Sequence, residues 1–265
     1  VTTIYDLSFM AYPETFPRRQ RQYLEAQTAR ACRLARRLIA ISEAGRRDIH
    51  EVFGVPLDRI DVVRPGVDDR FQALPAADIA AFRAAESLPD QFLLHVGTLQ
   101  PRKNIPVLLE ALTLLDNPDI PLMLVGGPGW LYDQVYDQVA ALGLGNRVRF
   151  VGYVDDEKLP YWYNAATALV FPSLYEGFGL PIVEAMACGT PVVAAATSSL
   201  PEAGGRTALY FDPQDPDELA QRLNQLLSNA DLQHRLEHDG PGQARAFSWD
   251  QAGQDLRAAY ERALM

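Results

Sequence analysis

The sequence predicts an α/β fold built on parallel sheets, and three observations carry that reading. Short β-branched apolar runs alternate with longer helical stretches from end to end. The runs are nearly continuous in apolar residues, as strands buried on both faces require. Turn chemistry divides the chain once, at about residues 64–91, where Arg64-Pro65-Gly66-Val67-Asp68-Asp69 is followed by an Ala-rich connector over 75–87 and by Pro89-Asp90.

Taken in order, the strands are expected at 2–5, 38–41 and 60–63 before the divide. After it they are expected at 92–96, 122–125, 148–151, 168–171, 192–195 and 208–211. Helices are expected at 18–37, 43–52, 105–115, 132–142, 156–165, 180–188 and 216–227. Six strands make one complete doubly wound sheet, whereas three make a poor domain alone. The expectation is one whole Rossmann-like lobe preceded by the last part of another. The tail from Pro213 reads as helical. Ser248 is placed to cap a last helix opening at Trp249, with apolar positions at Ala252, Leu256, Ala259 and Tyr260. The chain opens with Val1 inside a strand-like run, which reads as the continuation of something longer.

Composition bounds the function. The 265 residues are 48% hydrophobic and 22% charged, so disorder and fibrous folds are excluded. The net charge of −10 disfavours nucleic acid as a partner. Residues 18–47 oppose that trend, with nine arginines against Glu25 and Glu43. They form either a solvated helix face or a surface for phosphates, anionic lipid or an acidic partner. Two cysteines, Cys32 and Cys188, allow neither a disulfide framework nor a metal cluster, and a reduced cytoplasmic setting fits them. No apolar run approaches membrane-spanning length, and Val1 to Phe9 lack the marks of a signal peptide.

Three segments carry chemistry. The first runs from His95 through Gly97 to Arg102-Lys103-Asn104, at a strand end where open α/β sheets bind ligands. Arg102 offers a planar fork and Lys103 a point charge, which together suit a diphosphate. Only Lys103 and Lys158 are lysines among 24 basic residues. The second is Val125-Gly126-Gly127-Pro128-Gly129, read as a tight turn or as a ligand loop. The third, from Phe171 to Pro191, holds a glycine loop and then a helix with Pro181 near its start, where free N–H groups favour an anion. Glu176 and Glu184 lie eight residues apart in it. They repel phosphate, so hydroxyls are their natural partners: sugar hydroxyls for Glu176 and a ribose diol for Glu184. A paired-carboxylate glycosidase is a weaker reading, because it leaves Arg102 and Lys103 unused. Asp215-Pro216-Asp217 reads as a helix cap.

Tyr-Glu-Gly-Phe-Gly-Leu-Pro-Ile-Val-Glu-Ala-Met-Ala-Cys-Gly-Thr-Pro over 175–191 resembles the signature of family 4 (group 1) retaining glycosyltransferases of the GT-B fold. So do Gly-Thr-Leu-Gln-Pro-Arg-Lys-Asn over 97–104, the segment 148–154 and Leu200-Pro201-Glu202. The resemblance implies that residues 1–75 are the end of an acceptor-side lobe, 76–248 a nucleotide-sugar lobe and 249–265 a helix packing back toward the first. It implies that Arg102 and Lys103 hold the donor diphosphate. Glu176 contacts the transferred sugar, with the backbone of Gly177, Phe178, Gly179 and Leu180 beside it. Glu184 holds the ribose, Gly97, Gly126 and Gly127 lie along the donor, and Tyr153, Val154 and Leu159 lie along the base. Tyr5 stands where the family carries a His, next to Asp6, on the acceptor or sugar side. The first lobe of the family also begins well before residue 1.

The implied activity is transfer of a sugar from a nucleotide-diphosphate sugar to an acceptor hydroxyl with retention, GDP-mannose being favoured over a UDP-sugar, and with no metal or other cofactor. The acceptor is a glycan or lipid-linked sugar, and segment 18–47 is a candidate for peripheral contact with the inner face of a membrane. The rival readings are a nucleotide-sugar-binding fragment without turnover and a sugar epimerase.

Overall fold

The computed structural model of the chain describes residues 1–129 and 133–265. In chain order its elements are β1 (Thr2–Ile4), α1 (Ser8–Ala11), α2 (Arg18–Leu34), β2 (Leu38–Ala40), α3 (Glu43–Phe53), β3 (Ile60–Val62) and α4 (Ala76–Ala85). There follow β4 (Leu93–Val96), α5 (Ile105–Thr113), β5 (Leu122–Val125), α6 (Asp133–Ala141), β6 (Val148–Gly152), α7 (Leu159–Ala165), β7 (Ala168–Phe171) and α8 (Leu180–Ala187). The chain ends with β8 (Val192–Ala195), α9 (Leu200–Gly204), β9 (Ala208–Phe211), α10 (Pro216–Ser228), α11 (Ala230–Ala244) and α12 (Trp249–Leu264).

Two parallel sheets result, of order β1-β2-β3 and β6-β5-β4-β7-β8-β9. Every residue of β4, β5, β7 and β8 is buried, because helices cover both faces. Each sheet has its own apolar core. In the larger sheet the strand order reverses between β4 and β7, so the loops leaving those two strands diverge to opposite faces and leave a crevice at their carboxyl ends. The motifs at Gly97–Asn104 and Pro172–Gly179 are those two loops.

The nine expected strands are present, four with a residue trimmed: Tyr5, Ile41 and Val63 lie beyond the ends of β1, β2 and β3, and Phe92 precedes β4. Helix α2 stops at Leu34 and not at Arg37, because Ala35 turns to extended backbone. Arg37 is drawn onto Asp61 of β3, with Nε–Oδ2 at 2.6 Å. Helix α7 starts at Leu159 and not at Asp156, since residues 155–158 form a turn closed by Lys158 N–H on the Asp155 carbonyl. The helix expected from Tyr132 is present from Asp133, and Tyr132 itself lies outside the described residues. Residues 101–103, read as loop, form a single 3-10 turn, and Asn104 in left-handed backbone separates it from α5. The caps at Ser42, Asp215 and Ser248 each accept an N–H three residues on, as their side chains predict. No helix among the described residues is long and apolar enough to cross a membrane.

Helix α12 returns to the first sheet, where Arg262 reaches Asp61 at 2.7 Å. It buries Ala252 and Ala259, while Leu256 and Tyr260, expected to pack, are exposed. Small residues let this helix approach closely, and the bulky ones flank the contact. At its start the chain runs against Gly66: a Cβ there would stand 2.2 Å from the Trp249 nitrogen.

His95 lies at the heart of the larger sheet, fully buried, stacked on Phe171 and bonded through Nδ1 to the Val170 carbonyl at 3.1 Å. Its Nε2 has no partner among the described residues. Burial, joined by the Lys103 charge, lowers its pKa from 6.5 to about 4.

Two outcomes are expected. Gly66→Ala lowers stability by about 1–3 kcal/mol or more, read as a shift in denaturation midpoint, because the methyl meets backbone that cannot rotate away. The pH test concerns His95. Unfolded, it takes a proton near 6.5; folded, it refuses one until about 4, so the folded state loses stability as pH falls through that window. His95→Phe removes that loss, about 3 kcal/mol, measured by denaturation at the two ends of the window.

Candidate functional site

Two loops meet at the crevice. From the β4 side come Arg102 and Lys103, and from the β7 side comes Glu176. Lys103 Nζ donates to Glu176 Oε1 at 2.6 Å, and the Arg102 guanidinium reaches Oε2 at 2.8 Å. All three side chains are largely buried. Burial alone would raise the Glu176 pKa, but the charges of Lys103 and Arg102 and their hydrogen bonds outweigh it and hold the carboxyl below its ordinary range. Glu176, expected among sugar hydroxyls, is thus also the counter-ion of both cations expected to hold a diphosphate.

The loop around Glu176 is tightly fixed. Arg102 donates to the Tyr175 carbonyl. Leu174 N–H donates to the Arg102 carbonyl at 2.9 Å. Behind β8, Ser198 Oγ accepts the Glu176 N–H, and Ser199 Oγ donates to the carbonyls of Glu176 and Phe178. Helix α8 then starts from Gly179 with no side chain capping its first turn.

The strand ends of the first sheet face this loop. A Cβ on Gly177 would lie 2.4 Å from the Tyr5 carbonyl oxygen, so only glycine fits where the two backbones meet. The Tyr175 hydroxyl donates to Asp48 on α3. Glu202 on α9 accepts the N–H groups of Glu43 and Ala44, the first turn of α3, at 2.9 and 2.6 Å. Its carboxylate sits where the dipole of α3 favours an anion, and Arg64 stands 3.7 Å from both Glu43 and Glu202.

Glu184 lies in other company. The Tyr163 hydroxyl donates to it at 2.7 Å, and burial raises its pKa despite that bond and the nearby Arg70 charge. Its neighbours, Tyr163, Arg70, Asp68 and Asp156, are not those of Glu176. Glu176 precedes α8 and Glu184 lies inside it, and among the described residues the two carboxylates share no direct partner.

Gly97 follows β4 directly, its N–H on the Val125 carbonyl at 2.9 Å. Gly126 donates to the Gly152 carbonyl, and Gly127 accepts from Leu99 N–H at 3.0 Å, so the β4 and β5 loops are zipped together. Tyr153 and Val154 follow edge strand β6, Tyr153 being 74% exposed, and Leu159 opens α7. They share the carboxyl rim of the sheet with the ion cluster but lie three strands from β7. Asp6 uses Oδ1 to hold Ser8, while Tyr5 is 70% exposed.

A pocket of about 360 Å³ joins these parts. Tyr5, Asp6, Ile41 and Pro65 line one side, the segment from Glu176 to Pro181 another, and Trp249 completes it. Sequence reading missed Trp249, Asp48 and the two serines, and gave Tyr175 no role, because their partners are distant along the chain. Of the arginines in 18–47, Arg37 and Arg46 are internal struts, holding Asp61 and the Leu57 carbonyl; Arg18, Arg19, Arg30, Arg33, Arg36 and Arg47 are exposed.

Comparison with known proteins fits this geometry. The family profile described as glycosyl transferases group 1 matches residues 78–243, and that of glycosyltransferase family 4 matches residues 1–71. The O-antigen chain mannosyltransferase B of Escherichia coli is 36% identical, over 98% of this chain and 70% of its own length. The D-inositol 3-phosphate glycosyltransferase of Frankia alni is 36% identical, over 86% of this chain and 59% of its own length. Among solved structures, HepE of Anabaena in complex with UDP and glucose superposes with a TM-score of 0.86 at 26% identity, covering 98% of this chain and 70% of that one. Sucrose-phosphate synthase of Thermosynechococcus elongatus gives 0.81 at 28%, covering 99% and 67%. The chain spans between 59 and 70% of the length of these relatives. With parallel sheets meeting at their carboxyl ends and both profiles matched in order, the chain belongs to the group 1 glycosyltransferases of the GT-B fold.

Proposed function

We propose that the chain binds a nucleotide-diphosphate sugar and transfers the sugar to an acceptor hydroxyl with retention at the anomeric carbon. The observation that carries this is the buried ion cluster of Glu176, Arg102 and Lys103 at the strand reversal, opening onto a pocket shared with Tyr5 and Asp6. A diphosphate brings more negative charge to the two cations than one carboxylate does. It takes over Arg102 and Lys103, and Glu176 is left to accept hydroxyls of the transferred sugar. As the sugar–phosphate bond breaks, negative charge grows on the leaving oxygen, and Lys103, Arg102 and the uncapped start of α8 stabilise it. The acceptor oxygen attacks from the face the diphosphate leaves, and the departing phosphate oxygen takes its proton. No metal is needed for that step in this reading.

Glu184 holds the ribose, and Tyr153, Val154 and Leu159 border the base. GDP-mannose is the favoured donor. The E. coli mannosyltransferase supports the sugar, and the UDP-glucose complex of HepE, 25% identical, supports a nucleotide-sugar at this fold. A glycan or lipid-linked sugar serves as acceptor, at the inner face of a membrane.

Calorimetric titration with GDP and UDP, without metal, tests the reading. Binding that prefers GDP and weakens about 10- to 100-fold in Lys103→Ala is expected, the loss of one charge-assisted contact. Binding unchanged in that variant overturns the role of Lys103, and preference for UDP overturns the donor. Nucleotide binding without turnover of GDP-mannose leaves a donor-binding module. Glu184→Gln is expected to weaken nucleotide binding about tenfold while leaving folding intact. The raised pKa of Glu184 means that the fold prefers its protonated form, so stability falls as pH climbs through the carboxylate range. Gln keeps an acceptor for Tyr163 and abolishes that fall, which denaturation on both sides of the range detects.

A further inference from the structure

Trp249 is the one lining residue of the 360 Å³ pocket that comes from the C-terminal helix, and the residue is 57% exposed. Its backbone is anything but loose. Val67 N–H donates to the Phe247 carbonyl at 3.0 Å, and Ser248 Oγ accepts the Gln251 N–H at 3.1 Å. Gly66 leaves no clearance beside the Trp249 nitrogen. Phe247 packs edge-on against Phe178 of the Glu176 loop, with centroids 5.1 Å apart. A large aromatic ring is therefore held in water, at the mouth of a pocket, by a rigid mount.

The same pocket is lined by a second exposed aromatic, Tyr5, and by two carboxylates, Asp6 and Glu176. A pyranose ring has the complementary make-up. Its C–H face is apolar and stacks on an aromatic plane, while its rim of hydroxyls donates to carboxylates. Where Glu176 takes the donor sugar, the wall of Tyr5, Pro65 and Trp249 is left for the sugar that receives it.

We propose that Trp249 is the stacking platform for the acceptor sugar and selects it by the shape of its C–H face. The inference rests on the glycosyltransferase reading above. The pyranose lies with that face on the indole and one hydroxyl turned toward the donor sugar held at Glu176. Trp249 touches the acceptor and takes no part in bond making.

The test uses the 265-residue chain saturated with GDP, and methyl α-D-mannopyranoside, α-D-glucopyranoside and α-D-galactopyranoside as probes. Tryptophan emission is expected to change saturably with at least one sugar in the wild type. In Trp249→Leu, which keeps bulk but no flat face, calorimetry is expected to show that sugar binding about tenfold more weakly. Trp249→Phe restores binding to within about threefold, and GDP affinity is the same in all three proteins. Trp249→Leu binding the sugars as the wild type does overturns the inference, and so does emission blind to every probe in the nucleotide-bound chain. A wild-type chain that binds neither GDP nor UDP overturns the parent reading, and this inference with it.

Discussion

A carboxylate buried between two cations holds the site together. Taking Glu176 out of water is costly, and one partner alone rarely repays such a cost. Lys103 and Arg102 both close on it, one on each oxygen. Because the cations leave β4 and the carboxylate leaves β7, the cluster staples the two strands at the point where the chain reverses direction across the sheet. Arg102 also binds the Tyr175 carbonyl, and Tyr175 reaches Asp48 on the other lobe. Two contacts thus separate Arg102 from the contact between the lobes.

The arrangement also explains why the cluster is poised and not merely stable. A fully satisfied ion group in a closed core would be inert. This one opens on a pocket and is held from behind by hydroxyls of Ser198 and Ser199, which fix backbone and leave the charged atoms facing forward. His95, buried beneath and uncharged at neutral pH, adds no positive charge to compete with Lys103 for an anion.

Much of this was legible in the sequence. Strands buried on both faces advertise themselves through runs such as Leu122–Val125 and Val192–Ala195, and Ser248 and Asp215 announce their helices. The glycine loops and the glutamates at 176 and 184 lie at the carboxyl ends of β4, β5 and β7, where the strand-helix pattern put them. What escaped is long-range. Nothing near Leu34 says that Arg37 will be pulled toward Asp61 and end the helix early. The spacing of Glu176 and Glu184 puts one before α8 and one within it, but does not say that Tyr163 is the partner of the second. Trp249 lies more than sixty residues from the loop it borders, and only the docking of the last helix brings it there.

The grip of Glu202 on α3 has a consequence of its own. It holds two peptide N–H groups, which every residue but proline supplies, so the hydrogen bonds themselves do not depend on which side chains stand at 43 and 44. On the α9 side, by contrast, the contact needs the carboxylate of Glu202, so the chemistry of this link between the two sheets is written on one side. A joint of this kind tolerates change in the backbone donors' side chains only as far as burial of Ala44 permits, and tolerates none in the acceptor.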